Sequence, residues 1–172
     1  GKIVAWFQGK SEFGPRALGN RSILSDPRKA SAKEVMNIRV KHREAFRPFA
    51  PSVMEEYALD YFDISFSPYM LLFGRVRAEK AQEIPAVVHV DDTARLQTVN
   101  SKQNPLFYRL LSEFHSITGV PLLLNTSFND NEPIVETPAD ALRCFLNTDI
   151  DVLCIHDFVV TRKRQPTSVQ GA

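Results

Sequence analysis

The chain is poor in cysteine, with only Cys144 and Cys154 among 172 residues. Two thiols cannot build the disulfide framework of a small secreted scaffold, and both lie in apolar surroundings, where buried, reduced thiols are expected. No apolar run approaches the roughly 18 residues of a membrane span, and no signal peptide opens the chain, so a cytoplasmic protein without membrane contact is expected. Metal-site spacing is missing as well: His42, His89, His115 and His156 are scattered, with no HExxH and no CxxC. There is no GxSxG nucleophile elbow, no GxxxxGK phosphate loop and no internal repeat. A net charge of only +1 excludes a strong overall attraction to nucleic acid.

What is present is a globular composition, 44% hydrophobic and 24% charged. A chain of this length forms one domain and buries its core without staples. Its charge is unevenly spread. Residues 1–47 carry eleven Lys and Arg against four acidic residues, whereas residues 48–161 carry seven against sixteen. Arg162, Lys163 and Arg164 add a basic end, and residues 162–172 read as a flexible tail after a domain spanning 1–161. Such blocks are ordinarily solvated faces. Here the basic block coincides with Gly9, Gly14 and Gly19, set among Lys10, Arg16 and Arg21. Backbone freedom beside guanidinium groups is what a small anion site requires.

Strands are expected at Lys2–Gln8, Arg21–Leu24, Tyr69–Val76, Ala86–Val90 and Arg95–Val99, with Pro48–Met54 extended. Because the first strand begins almost at the first residue, the chain reads as a piece of a longer polypeptide. Ser31 with Glu34 has the spacing of a capping box and opens a helix to about residue 43. Glu55–Phe62 is a short helix. The clearest helix is Pro105–Thr118, capped by Asn104 and ended by Gly119, with Leu106, Phe107, Leu110, Leu111, Phe114 and Ile117 as its apolar stripe. Pro121–Leu124 is a buried strand. Thr137-Pro138 starts a helix to about Leu146 that turns Leu142, Phe145 and Leu146 inward, and Asp151–Thr161 closes the chain as a buried strand. Strands and helices mix without a strict βαβ rhythm, which favours an α/β (α+β) fold with a mixed sheet covered by helices.

Four segments could carry chemistry. In residues 8–22 Pro15 fixes the backbone before Arg16, and Gly14 and Gly19 permit positive φ on either side, so one guanidinium is aimed with little loop entropy left to lose. A tight turn with surface arginines has the same composition. Residues 39–51 hold Arg39, Lys41, Arg43 and Arg47 within nine positions, cations that repel unless an anion or carboxylates lie between them. A basic, solvated helix end would serve the helix dipole equally well, and His42 beside them suits a surface hydrogen bond better than catalysis. Leu122-Leu123-Leu124 runs into Asn125-Thr126-Ser127, placing an amide and hydroxyls at a strand end where ligands commonly bind, although the same residues favour a turn. Arg95 follows the acidic turn Asp91-Asp92 and alone means nothing.

Glu12 to Ser22, reading EFGPRALGNRS, resembles the opening motif of the C-terminal domain of the carbamoyltransferase family, as in nodulation protein U and antibiotic O-carbamoyltransferases. The resemblance continues through KHRE at 41–44, FRPFAP at 46–51, DDTARLQ at 91–97, NTSFN at 125–129 and EPIV at 132–135, covering the chain from 3 to about 161. It implies a YrdC-like fold with a twisted mixed sheet. It further implies a domain that binds carbamoyl phosphate and ATP and forms carbamoyl-adenylate; the chemistry of ATP calls for magnesium with it, although no motif marks its ligands. An N-terminal domain of the same full-length polypeptide, carrying histidine-bound iron, would then transfer the carbamoyl group to an acceptor hydroxyl. By position in the motifs the substrate-binding residues fall on Arg16, Lys41, Arg47, Arg95, Asn125 and Ser127, and Arg21 and Arg43 also match. Arg16, Lys41 and Arg47 would act catalytically, neutralising charge as carbamate leaves phosphate and as the new anhydride forms.

The alternatives are an RNA-binding module, which the basic first 47 residues suggest, and an interdomain docking module without its own chemistry. Aromatic residues are not interleaved with the basic ones as a nucleic-acid stacking platform needs, so nucleic acid is the weaker reading.

Overall fold

The computed structural model describes residues 1–162. Its elements in chain order are β1 (Val4–Phe7), β2 (Arg21–Ser25), α1 (Ser31–Arg39), β3 (Ala50–Met54), α2 (Ala58–Tyr61), β4 (Phe73–Arg75), β5 (Thr93–Arg95), β6 (Gln97–Val99), α3 (Pro105–Thr118), β7 (Leu122–Ser127), α4 (Pro138–Asn147), β8 (Val152–Ile155) and β9 (Phe158–Thr161). Seven strands form one sheet in the order β6-β3-β7-β2-β1-β8-β9, and β4 pairs with β5 as a separate ribbon. The β1–β8 and β3–β6 pairs are parallel and the others antiparallel, so the sheet is mixed and the α+β class is the one expected.

Alternation along the strands divides two cores. Ala5, Phe7, Ile23, Val53, Leu122 and Leu124 belong to the larger one, with Met36 of α1 and Ala141 and Phe145 of α4. Leu24, Met54, Val99 and Leu123 belong to the smaller one, under Phe107 and Leu111 of α3. Asn125, two residues beyond Leu123, shares the α3 face of β7 and stands opposite Leu24 on one side and Ala50 on the other. The sheet thus carries a polar residue at its centre, just beyond the area that α3 covers.

The α3 boundaries are those the sequence predicts. Asn104 accepts from the Phe107 N–H at 3.1 Å, and Gly119 closes the helix at φ +76°. Within its stripe, Phe107 and Leu111 are buried but Leu106 and Ile117 are exposed. At about 100° per residue these two lie some 80–100° round the helix from Phe107, on the flank of the packed face. Thr137 and Asp140 form a reciprocal cap on α4. Its inward positions are Ala141, Cys144 and Phe145, while Leu142 and Leu146 face outward.

Other expectations are corrected. Ser31 is the first helical residue of α1 rather than its cap; Ala30 occupies that position with no side-chain bond, and the helix ends at Arg39. Ala86–Val90 is no strand: Pro85–Val87 makes a 3-10 turn whose Ala86 and Val87 are buried, so their apolar character serves packing rather than pairing. Residues 151–161 break at His156 and Asp157 into the β8–β9 hairpin, and β9 exposes Phe158 and Val159 at the sheet edge. Arg162 is bonded to the carbonyls of Phe145 and Thr148 at the end of α4. The remainder of the expected tail lies outside the described residues. No helix among the described residues is long and apolar enough to cross a membrane.

Candidate functional site

Three loops and two strand ends converge on a cavity of about 110 Å³ lined by Arg16, Ala17, Arg43, Phe49, Met70, Arg95, Asn125 and Ser127, among others. The first loop, residues 9–20, is held from within. The Glu12 carboxylate accepts from the backbone N–H groups of Leu18 at 2.7 Å and Asn20 at 2.8 Å, and the Trp6 indole donates to the Gly19 carbonyl at 2.9 Å. Gly19, at φ +108°, lies so close to α3 that a Cβ there would come within 2.2 Å of the Phe107 ring. Pinned at both ends, the loop presents Arg16 to the cavity.

The second loop follows α1. Buried Asn37 anchors it, donating to the carbonyls of Ala45 at 3.0 Å and Arg47 at 2.9 Å and accepting from Arg43 Nε at 2.7 Å. The Arg43 guanidinium also lies over the Phe49 ring, 4.8 Å from its centre. Arg95 comes from the end of β5, where its Nε is buried without a partner among the described residues. Burial lowers the basicity of Arg43 and Arg95, with Arg47 adding to the effect on the first and Arg16 on the second. Among the described residues no carboxylate pairs with Arg16, Arg43 or Arg95, and none lines the cavity. Three guanidiniums facing one small space without a counter-charge make an anion site.

The other predicted cations lie elsewhere. Arg21 is buried beneath the first loop, donating to the carbonyls of Gln8 at 2.8 Å, Asn20 at 3.0 Å and Gly9 at 3.2 Å, with its guanidinium 3.6 Å from the centre of the Phe7 ring. It holds the loop together. Arg47 is exposed, 3.9 Å from Glu44, and does not line the cavity. Lys41 is buried behind the cavity wall. Its ammonium donates to Ser127 O at 2.6 Å and to both Asn129 O and Asn129 Oδ1 at 2.8 Å. Burial, and secondarily the charge of Arg43, push its pKa down to about 7. His42 makes a surface contact with Asp130 at 2.9 Å. Both thiols are free, Cys144 buried and Cys154 partly so.

The model of the carbamoyltransferase C-terminus family matches residues 1–162. The chain belongs to this family. It is 49% identical over 175 residues to nodulation protein NolO of Bradyrhizobium diazoefficiens, an alignment that covers 99% of this chain and 32% of that protein. It is 47% identical over 132 residues to a 3'-hydroxymethylcephem-O-carbamoyltransferase of Amycolatopsis lactamdurans, covering 76% of this chain and 25% of that protein. Nodulation protein U of Rhizobium tropici is 46% identical over 129 residues, 74% of this chain and 22% of its own length. The chain thus spans a quarter to a third of the length of most of the curated relatives it matches.

In this carbamoyltransferase domain the family motifs supply the cavity, but they are not its whole frame. Met70 lines the cavity at φ +54° from a segment in which the sequence predicts only a strand. Glu12 and Asn37 aim Arg16 and Arg43 without touching the cavity themselves. Glu12 stands within the matched motif, so that signal was available. Asn37 was hidden by an ordinary helical position.

Proposed function

We propose that this domain binds carbamoyl phosphate and ATP in the cytoplasm and forms carbamoyl-adenylate, which the preceding part of the full-length polypeptide transfers to an acceptor hydroxyl. The observation that carries the reading is the small cavity walled by Arg16, Arg43 and Arg95, without a carboxylate, beside Asn125 and Ser127. Carbamoyl phosphate joins a phosphate dianion to a planar amide. Forked guanidiniums suit the first and an amide with hydroxyls suits the second. At about 1.5–3 kcal/mol for each hydrogen bond to a charged group, three arginines can hold so small a ligand.

In the proposed reaction the C–O bond to the bridging oxygen of carbamoyl phosphate is broken by water, leaving carbamate and inorganic phosphate. A carbamate oxygen then bonds to the α-phosphorus of ATP, and pyrophosphate leaves. The arginines stabilise the charge on the separating phosphate and on the new anhydride without covalent catalysis. Lys41, through Ser127, and Arg47, close enough to lower the basicity of Arg43, are assigned supporting electrostatic roles. The cavity takes the phosphate end of a ligand, and the rest of ATP would extend beyond it. Its guanidinium and amide groups do not fit a metal ion, so magnesium would enter on the nucleotide. Iron is assigned to the N-terminal domain, not to this chain.

Exposed side chains on the same segments support the partner assignment. Phe13, Phe46 and Leu71 are all exposed, on the three segments that also carry Arg16, Arg43 and Met70. Exposed apolar side chains on these segments suit coverage by the remaining polypeptide. Titration of the chain with carbamoyl phosphate, with and without ATP, tests the proposal. Saturable heat that is lost in Arg16→Ala and Arg95→Ala supports it. Absence of binding by the wild type refutes it.

A further inference from the structure

Asn125 is only 1% exposed, yet among the described residues its Oδ1 has no hydrogen-bond partner. Its amide nitrogen, by contrast, is fully occupied. Nδ2 donates to Ser52 Oγ at 2.8 Å, and Ala17 O and Gln97 Oε1 each lie at 3.2 Å. These neighbours settle which end of the amide is which. The Ala17 carbonyl can only accept. Gln97 donates through Nε2 to Leu18 O at 2.9 Å, which leaves its Oε1 facing Asn125. Ser52 spends its proton on that same Oε1 at 2.6 Å and so meets Asn125 as an acceptor. Turning Asn125 over would set its oxygen against three acceptors.

The register explains how the three side chains meet. Ser52 stands opposite Gln97 across the β3–β6 pair and opposite Leu123 across β3–β7. Asn125 follows Leu123 by two residues, so all three share the α3 face of the sheet. Ser52 and Gln97 are themselves buried and lie behind Asn125, outside the cavity. Asn125 lines the cavity, and the guanidiniums of Arg16, Arg43 and Arg95 that share it can only donate. A buried amide oxygen with no protein donor, fixed in orientation beside an anion site, calls for a ligand that brings an N–H.

We propose that Asn125 Oδ1, held in this orientation by Ser52 and Gln97, accepts a hydrogen bond from the carbamoyl N–H and thereby selects carbamoyl phosphate over acetyl phosphate. The inference rests on the carbamoyl phosphate reading above. Acetyl phosphate carries the same phosphate and replaces the amino group with a methyl group of similar size. The arginines therefore cannot tell the two apart. With acetyl phosphate bound, Oδ1 stays dry and unpaired, and a site built to bond a polar group rejects the analogue that lacks it. Ser52 and Gln97 act as positioning residues. Without them the amide is free to turn and present its nitrogen.

Calorimetric titration of the 172-residue chain with carbamoyl phosphate, acetyl phosphate and inorganic phosphate tests this, in the wild type, Gln97→Met and Ser52→Ala. The wild type is expected to prefer carbamoyl over acetyl phosphate by roughly 10- to 100-fold. In at least one of the two variants that ratio falls to within about threefold of unity, while inorganic phosphate binds as in the wild type; a merely structural role would weaken all three ligands together. Equal wild-type affinity for the two acyl phosphates overturns the inference and leaves the phosphate site standing. A wild-type preference that survives in both variants overturns the role of Ser52 and Gln97. Failure of all three ligands to bind the wild type overturns the carbamoyl phosphate reading and this inference with it.

Discussion

The Lys41 ammonium donates to the Ser127 carbonyl at 2.6 Å, tying the turn after α1 to the end of β7. A buried cation therefore shapes the cavity wall from behind. The same ammonium reaches Asn129 Oδ1, which accepts in turn from Ser127 Oγ at 2.7 Å. Lys41→Ala removes the donor from three acceptors: Ser127 O keeps the Asn129 N–H and Asn129 Oδ1 keeps Ser127 Oγ, whereas the Asn129 carbonyl loses its partner. The expected cost is about 1–3 kcal/mol for a buried group left unpaired, or a fall in melting temperature of several degrees for a domain of this size. The variant should still fold, because the core beneath the turn is intact. It should bind carbamoyl phosphate at least tenfold more weakly, since Ser127 is no longer held. Thermal melting and calorimetry together check both effects, and an unaltered melting temperature would count against this role for Lys41.

The depressed basicity of Lys41 has a pH signature. Its pKa is about 7 in the folded chain against 10.5 ordinarily. Below pH 7 both folded and unfolded forms carry the proton, and Lys41 contributes no slope. Between pH 7 and 10.5 the unfolded chain binds more protons than the folded one, so the Lys41 contribution to stability rises with pH. Denaturant unfolding of the wild type and Lys41→Met should therefore give a difference that changes across this window. The wild-type curve should climb relative to the variant above pH 7 and run parallel to it below. Parallel curves throughout would show that Lys41 titrates normally.

Glycine positions in the first loop separate conformational from steric demands. Gly9 has φ +48° and open space around it, whereas Gly19 has φ +108° and the Phe107 ring at 2.2 Å from any added Cβ. Gly9→Ala should cost about 1 kcal/mol, from backbone strain alone. Gly19→Ala must also displace a fully buried ring that anchors the smaller core, adding roughly 1–3 kcal/mol for overpacking. Equilibrium urea unfolding should rank Gly19→Ala well below Gly9→Ala, and equal midpoints would contradict the close approach of loop and helix.

What the sequence made legible were features encoded by neighbours in the chain. Asn104, Pro105 and Gly119 bracket α3 by local chemistry, and the structure keeps those bounds. Ser31 and Glu34 had the same local logic but lost to the chain path, which enters α1 through Ala30. Ala86 and Val87 looked like a strand because burial, not pairing, dictates their character. At the cavity, Arg16, Asn125 and Ser127 could be picked from glycine-rich and strand-end contexts, whereas Arg95 was picked only through the family motif. Arg43 rather than Arg47 faces the cavity because Asn37 and Phe49 hold its guanidinium, contacts no spacing rule reveals. The Ser52–Gln97–Asn125 arrangement was equally hidden, since it joins three strands only when the sheet is assembled.

A final prediction concerns chemistry in this chain alone. Arg16, Arg43, Arg95, Asn125 and Ser127 all line one cavity, so the residues of the carbamoyl phosphate site proposed above lie within this chain. Separation of phosphate from carbamoyl phosphate needs positioning and charge neutralisation, which the guanidiniums supply without a histidine base. The 172-residue chain should therefore release phosphate from carbamoyl phosphate faster than the spontaneous background when ATP and magnesium are present. Turnover should be slow, because the rest of the polypeptide proposed to receive the adenylate is not there to shield it from water. Arg95→Ala removes a half-buried guanidinium that pairs with no carboxylate among the described residues, and it should reduce release at least tenfold without lowering the melting temperature by more than a few degrees. A continuous phosphate assay on the two proteins decides the matter. Release equal to background in the wild type, or equal in both proteins, would assign the activation step to the rest of the polypeptide and leave this domain the binding role alone.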